Sequence, residues 1–337
     1  MIASPQDRQS RLRTFKPATA QAWNWRLIHI RNGPRSAPLR LSKGFTLPKR
    51  SGLVVARSRA EARDWHRAQR AAGKRIAFVP TMGALHDGHL SLIRIGLEKA
   101  DVVASSIFVN PTQFAAHEDL GTYPRAEASD LEKLEAAGCT FCYCPSASEM
   151  YPPGDSTRVV VKDLSHILEG EVRPHFFEGV ASVVSRLFLH VQPDVAVFGE
   201  KDYQQLLVIK RMTNDLGFPI EIMGGPTRRE ADGLAMSSRN AYLDPAQRSQ
   251  AAAMARVMKE TAARLEAGDP IRAATDTAKA ELLAAGFVSV DYVEARRADT
   301  LAPFGAETCP NGASGRLLFA ARMGKTRLID NMGFVRR

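Results

Sequence analysis

Long apolar runs are missing from this 337-residue chain. No stretch approaches the roughly 20 residues needed to cross a bilayer. Nothing near the N-terminus has the continuous hydrophobic core of a secretory signal. A membrane partner is therefore not expected. Cysteine is scarce, with four in all, and four at this length do not make a disulfide framework. Three of them, Cys139, Cys142 and Cys144, lie in CTFCYC. A CxxC spacing invites a zinc reading, but a structural zinc site takes about four ligands. The remaining cysteine, Cys309, is far along the chain beside Pro310. Alternation of Cys142 and Cys144 with Phe141 and Tyr143 reads instead as a buried strand carrying inert thiols. Unpaired thiols fit a reducing, cytoplasmic compartment. There is also no HExxH motif and no repeat of solenoid period.

Excess charge is missing from most of the chain as well. The formal net charge is +10, which suggests a nucleic-acid partner until it is located. Residues 1–50 hold eleven Lys/Arg against the single acid Asp7, whereas the remaining 35 bases and 35 acids cancel. The basicity thus belongs to the first fifty residues and not to the folded body. That segment carries Pro5, Pro17, Pro34, Pro38 and Pro48 and no helical or strand period. Its composition predicts a basic, disordered extension. A transit peptide, an early start codon and a nucleic-acid arm are the three readings open for it. A neutral body argues against nucleic-acid binding elsewhere, because such binding needs a basic footprint.

What is present from residue 51 onward is regular alternation. Helical patterns over 58–72, 90–100, 129–137, 180–191 and 203–216 alternate with strand patterns over 75–79, 101–109, 140–144, 195–198 and 220–223. Such alternation predicts parallel βαβ units, that is, an α/β protein with a doubly wound parallel sheet. After Gly224-Gly225-Pro226 the character changes. A long Ala-rich helical stretch over 245–267 is followed by further helix and strand pieces to about Asp330. The expected division is 51–225 for the first domain and 226–337 for a smaller second one.

In doubly wound sheets, ligands bind outside the C-terminal ends of the strands. PTMGALHDGH, NPTQF and GEKDYQQ all begin where a predicted strand ends, so they are expected to converge on one crevice. In the first, His86 and His89 sit three apart around Gly88. Metal, core and phosphate are the candidate roles. A metal would need a third ligand and nearby carboxylates, and none is apparent. A core histidine fits poorly at so polar a strand-to-helix junction. A phosphate has a mechanism: free N–H groups and the positive dipole end of a helix, with two imidazoles as further donors. MSSRN (Met236 to Asn240) adds two hydroxyls and a guanidinium fork suited to phosphate oxygens. Lys201 is a point charge for phosphate, Asp202 an acceptor for a ribose. Gln204 and Gln205 open a helix from which one can face the crevice. Asn110, held extended before Pro111, precedes Gln113, whose amide suits a small hydroxy acid. No serine or cysteine nucleophile is paired with a base.

HxGH with MSSRN resembles the HIGH and KMSKS elements of nucleotidyl-transferring enzymes. With SIFVNPTQF, YPR, FGEKDYQQL, DGLAMSSRNAYL and the terminal TRLIDN in order, the chain from about 52 to about 332 resembles the pantothenate synthetase (pantoate–β-alanine ligase) family. The resemblance implies a Rossmann-like nucleotidyltransferase domain, a smaller C-terminal α+β lid and a homodimer. It implies ATP-dependent joining of pantoate to β-alanine through pantoyl adenylate, with Mg²⁺ accompanying ATP. It carries the ATP site onto Met82, Gly83, Ala84, Leu85, His86, Asp87, Gly88, His89, Gly199, Glu200, Lys201, Asp202, Arg228, Met236, Ser237, Ser238 and Arg239. Among these, His89 (as proton donor), His86, Lys201, Ser237 and Arg239 take the catalytic roles. Pantoate falls to Gln113 and Gln205, and β-alanine to Gln113.

This chain departs from the family pattern in three places. In RPHFFEGV the family histidine falls one place later, where Phe176 stands. Arg228 replaces an apolar residue near the adenine. A metal-holding acidic cluster in relatives is reduced here to Asp130, flanked by Ser129 and Lys133. No protein ligand for Mg²⁺ is therefore named, and the phosphates are expected to carry the ion.

Overall fold

In the computed structural model, residues 52–115 and 120–337 are described. The expectation for residues 1–50 lies outside them. All the described residues belong to one compact unit. It contains a six-stranded parallel sheet and a three-stranded antiparallel sheet.

The first sheet has the order β1-β4-β3-β2-β5-β6. Its strands are β1 (Val54–Ala56), β2 (Ile76–Thr81), β3 (Val102–Ile107), β4 (Phe141–Tyr143), β5 (Val195–Gly199) and β6 (Glu221–Gly225). Chain order runs outward from β2 in one direction through β3 and β4, then jumps to β5 and β6 on the other side. The sheet is therefore doubly wound, with its switch point between β2 and β5, where a ligand crevice is expected. The central strands are buried along nearly their whole length because both faces are covered. Helices α1 (Arg59–Ala71), α6 (Phe176–Val191) and α7 (Tyr203–Asp215) cover one face. On the other lie α2 (Asp87–Lys99) and α3 (Glu127–Ala136). Trp65 of α1 stacks on Phe141 with ring centroids 4.3 Å apart. Short helices α4 (Ala147–Met150) and α5 (Glu169–Val172) lie on the connection from β4 to α6.

The helix ends explain two differences from the sequence expectation. α2 starts at Asp87 rather than Leu90, because His86 is its N-cap and accepts from Gly88 N–H through Nδ1. Both histidines therefore bracket the first helical turn. The Ala-rich stretch divides at Ala252 into α8 (Pro245–Ala251) and α9 (Ala253–Ala267). α8 starts with Pro245 behind an Asp244 and Gln247 capping box, a strong start signal. α9, together with α10 (Ile271–Ala284), packs on β7 (Ser289–Arg297), β8 (Ser314–Met323) and β9 (Thr326–Val335), enclosing a second apolar core.

The four cysteines are all buried and unpaired, as expected for packing thiols. Burial pushes the Cys139 thiol up to about 12.

Candidate active site

Loops from the C-terminal ends of β2, β3, β5 and β6 meet above the switch point. There they line a cleft with a cavity of about 210 Å³, which Ser237, Ser238 and Arg239 also reach. A second cavity of about 670 Å³ adjoins it, bounded on its far side by β8 and β9. Lys201, Asp202, Gln205, Ser237 and Arg239 line both.

The loop after β2 is strongly constrained. Gly83 (φ +86°) and Ala84 (φ +52°) both take left-handed backbone, which costs a non-glycine residue of order 1 kcal/mol. Asp130 of α3 holds this shape. Its carboxylate is 1% exposed and accepts from Ala84 N–H (2.8 Å) and Leu85 N–H (2.9 Å). Lys133 Nζ donates to Leu85 O at 2.8 Å. Gly83 N–H goes to Thr81 Oγ1 and His86 N–H to His89 Nδ1. The backbone donors of Gly83, Ala84, Leu85, His86 and Gly88 are thus already used, two of them by Asp130 of α3 and three within the loop and helix start. What the loop turns toward the cleft is Met82 and the two imidazoles.

Those imidazoles stand 4.1 Å apart, tilted by 43°. Nδ1 of each accepts a backbone N–H, which fixes the neutral tautomer with its proton on Nε2. Burial, helped by Lys201 and Lys133, lowers His86 to about 4. Burial, then the neighbouring His86, lowers His89 to about 3. At neutral pH both are uncharged N–H donors.

Lys201 and Asp202 lie on a tight turn (Glu200–Asp202) after β5, with Nζ 3.4 Å from Asp202 Oδ1. Ser237 caps the turn Ser238–Tyr242 by accepting from Arg239 N–H, and Ser238 Oγ lies 3.3 Å from Tyr123 Oη. Arg228 and Gly199 line the cleft. Five of the predicted contacts stand back from it, among them Gly83, which is buried. The Glu200 carboxylate pairs with Arg316, Leu85 is buried in the core, Asp87 is exposed, and Ala84 faces Asp130.

Gln113 is buried in the turn Pro111–Gln113 after β3, Gln205 lies on the first turn of α7, and both line the cleft. The neighbouring Gln204 is turned away. The Gln204 amide donates to Leu164 O (2.7 Å) and Ile167 O (2.8 Å) and accepts from Glu169 N–H (3.1 Å), so it braces the segment before α6. Phe176 lines the cleft while His175 is exposed. The Arg173 guanidinium lies 4.0 Å over the Phe176 ring, donates to Gln113 O at 3.0 Å and pairs with Glu169 at 3.3 Å. Asp130, Arg173 and Tyr123 also belong to the site. Tyr123 lies in YPR, Arg173 opens RPHFFEGV and Asp130 is the remnant of the acidic cluster, but the motifs by themselves assign none of them a role in the site.

A family model for pantoate-beta-alanine ligase matches residues 54–333. The chain belongs to the pantoate–β-alanine ligase family. A pantothenate synthetase of Caulobacter vibrioides is 56% identical over 280 residues, covering 83% of this chain and 98% of that protein. The crystal structure of pantothenate synthetase from Thermus thermophilus superposes with a TM-score of 0.75 at 42% identity, over 82% of this chain and 98% of that one. The ligase from Francisella tularensis, described as complexed with beta-gamma ATP and beta-alanine, superposes with a TM-score of 0.69 at 31% identity, over 83% and 97% of the two chains. Family membership agrees with the parallel sheet and the separate antiparallel one.

Among the described residues, no group of three or more His, Cys, Asp or Glu is placed to hold a metal ion, and no helix is long and apolar enough to cross a membrane.

Proposed function

We propose that this chain condenses pantoate with β-alanine at the expense of ATP, in the cleft above the switch point and by way of pantoyl adenylate. The observation that carries this reading is the chemistry gathered in one cleft. Neutral imidazole N–H groups, Lys201, Arg239 and the hydroxyls of Ser237 and Ser238 line it together with the amides of Gln113 and Gln205 and an apolar Phe176. The first set suits a polyphosphate, the second a small hydroxy acid.

In the first step a pantoate carboxylate oxygen attacks the α-phosphorus, and the bond to pyrophosphate breaks. Negative charge gathers on the phosphate oxygens, and preorganised donors stabilise it. His89 Nε2–H, His86 Nε2–H, Lys201 Nζ and the Arg239 guanidinium are those donors. Because burial keeps the imidazoles neutral, His89 acts as a hydrogen-bond donor to developing charge and does not need to begin as imidazolium. In the second step the β-alanine amine attacks the acyl carbon, the bond to AMP breaks and the amine loses a proton. No covalent enzyme intermediate is required.

Mg²⁺ enters as part of the nucleotide substrate. Both Asp130 oxygens are committed to backbone N–H groups and Glu200 to Arg316, so the triphosphate carries the ion. The second sheet with α8 to α10, residues 226–337, serves as the lid, and two copies assemble as a dimer in the cytoplasm.

The test is stoichiometric. AMP release should require both pantoate and β-alanine, and labelled pyrophosphate should exchange into ATP with pantoate alone. AMP release that ignores β-alanine, or exchange that ignores pantoate, would overturn the assignment.

A further inference from the structure

The terminal TRLIDN segment has no part in the chemistry above, yet its last two residues are buried polar groups on β9. Asp330 is 2% exposed and Asn331 is 4% exposed. Consecutive strand residues point to opposite faces, and here each reaches a different phosphate-side segment.

Asn331 Nδ2 donates to Glu200 O (3.0 Å) and to Lys201 O (2.7 Å). These carbonyls belong to the tight turn that carries Lys201. Asn331 Oδ1 accepts from Arg316 Nε at 2.7 Å, which fixes which end of the amide is the donor. Arg316 also reaches Glu200 Oε2 at 3.3 Å, and its guanidinium lies 3.9 Å over the Tyr203 ring. The turn is thus held at two carbonyls, one carboxylate and one ring, all from the second sheet.

The Asp330 carboxylate accepts from Arg229 Nη1 (2.6 Å) and Nη2 (3.0 Å). Arg229 in turn donates to Gly233 O at 3.0 Å and forms an antiparallel bridge with Ala235. Ala235 directly precedes Met236, Ser237, Ser238 and Arg239. Asp330 also accepts the Asn331 backbone N–H at 2.7 Å, so its carboxylate is anchored to the β9 backbone at the residue whose side chain holds the Lys201 turn.

We infer that the Asp330–Asn331 pair is a brace that sets the distance between Lys201 and the Ser237–Arg239 turn, and that both are positioning residues for adenylate formation. The inference rests on the reading that these two segments grip the triphosphate. Its energetic logic is that a displacement near 1 Å at a phosphate donor costs of order 100-fold in rate. The second step needs no triphosphate and should not feel the brace.

The experiment separates the half-reactions. Asn331→Asp sets a carboxylate against two carbonyls, and Arg316→Lys removes the Nε bond that orients the amide. Each should lower pantoate-dependent pyrophosphate–ATP exchange, by about 10- to 100-fold for Asn331→Asp and less for Arg316→Lys. The KM for ATP should move less than the rate. Conversion of supplied pantoyl adenylate and β-alanine should stay within about 3-fold of the wild type. In the double variant Lys201→Ala/Asn331→Asp, exchange should be no worse than in Lys201→Ala alone, since the brace acts through Lys201. Both half-reactions falling together, or additive losses in the double variant, would overturn the brace. If Lys201→Ala itself leaves exchange intact, the ATP-site reading fails first.

Discussion

Replacing Gly179 by alanine adds one methyl group to α6, and the structure says where it goes. A Cβ at this position would lie 2.5 Å from Thr112 O, 2.8 Å from Thr112 C and 3.0 Å from Gln113 N. An ordinary carbon–oxygen contact is about 3.3–3.6 Å, so the Pro111–Gln113 turn must retreat by roughly 1 Å. It cannot retreat freely. Asn110 Nδ2 donates to Gly179 O at 3.1 Å, Asn110 Oδ1 accepts from Tyr151 Oη at 2.9 Å, and Arg173 holds Gln113 O. Overpacking of this kind typically costs about 1–3 kcal/mol of stability. The functional cost is larger in relative terms, because the displaced residue is the amide assigned to pantoate. A shift near 1 Å corresponds to about 10- to 100-fold in kcat/KM. The expected result is a kcat/KM for pantoate reduced by that factor, with the KM for ATP changed far less. Initial rates of pyrophosphate release over a pantoate series, with urea unfolding in parallel, measure both quantities. A variant that loses stability yet keeps kcat/KM for pantoate within about 3-fold would show that Gln113 does not read the substrate.

Further outcomes follow from the loop after β2. His89→Ala should lower pyrophosphate exchange at least ~100-fold, the scale for a positioned donor, with little change in the urea midpoint; near-normal exchange would remove the residue from the mechanism. Asp130→Asn replaces one acceptor by a donor facing a backbone N–H, at a cost of about 2–4 kcal/mol for a buried charged partner. It should depress both unfolding stability and exchange, and wild-type values for both would show that the loop keeps its shape unaided. Acid stability follows from three histidines. His86, His89 and His190 are lowered, chiefly by burial, from 6.5 to about 4, about 3 and about 4. The unfolded chain then binds more protons than the folded one below pH ~6.5. Stability is fully present above that pH and is lost as pH falls toward 4. Near pH 5 unfolding should take up to about three protons from these groups. A melting temperature that stays flat from pH 6.5 to 5 would contradict the burial.

The alternating strands and helices were legible because their side-chain periods are local. β2, β3, β5 and β6 fall within two residues of the expected ranges. β1 was not read: three residues, Val54–Ala56, carry too little period to register. The convergence of three strand-end motifs was also legible, since it follows from sheet topology alone. What stayed hidden was pairwise and distant. Asp130 meets Leu85 across 45 positions of sequence, Arg173 meets Gln113 across 60, and Asn331 meets Lys201 across 130. No local pattern encodes such partners. The loop's backbone donors were expected to cradle phosphate, and five of them are instead consumed by Thr81, Asp130 and the histidines. That outcome depends on side-chain orientation, which spacing does not show.

Glu169 gathers Arg173 at 3.3 Å, Arg327 at 2.7 Å and the Tyr292 hydroxyl at 3.2 Å. Arg327 and Tyr292 belong to the second sheet, and Arg173 carries Gln113. The residue we assign to the hydroxy acid is therefore tied, through a few buried charges, to strands more than 170 positions later in sequence. Redirecting the enzyme to bulkier acids is then not a matter of widening a wall at Phe176. A library confined to residues that face the substrate would leave the Glu169 junction in place and keep returning Gln113 to its present position. Variants at Arg327 and Tyr292, remote from the chemistry, become entry points for altered substrate scope.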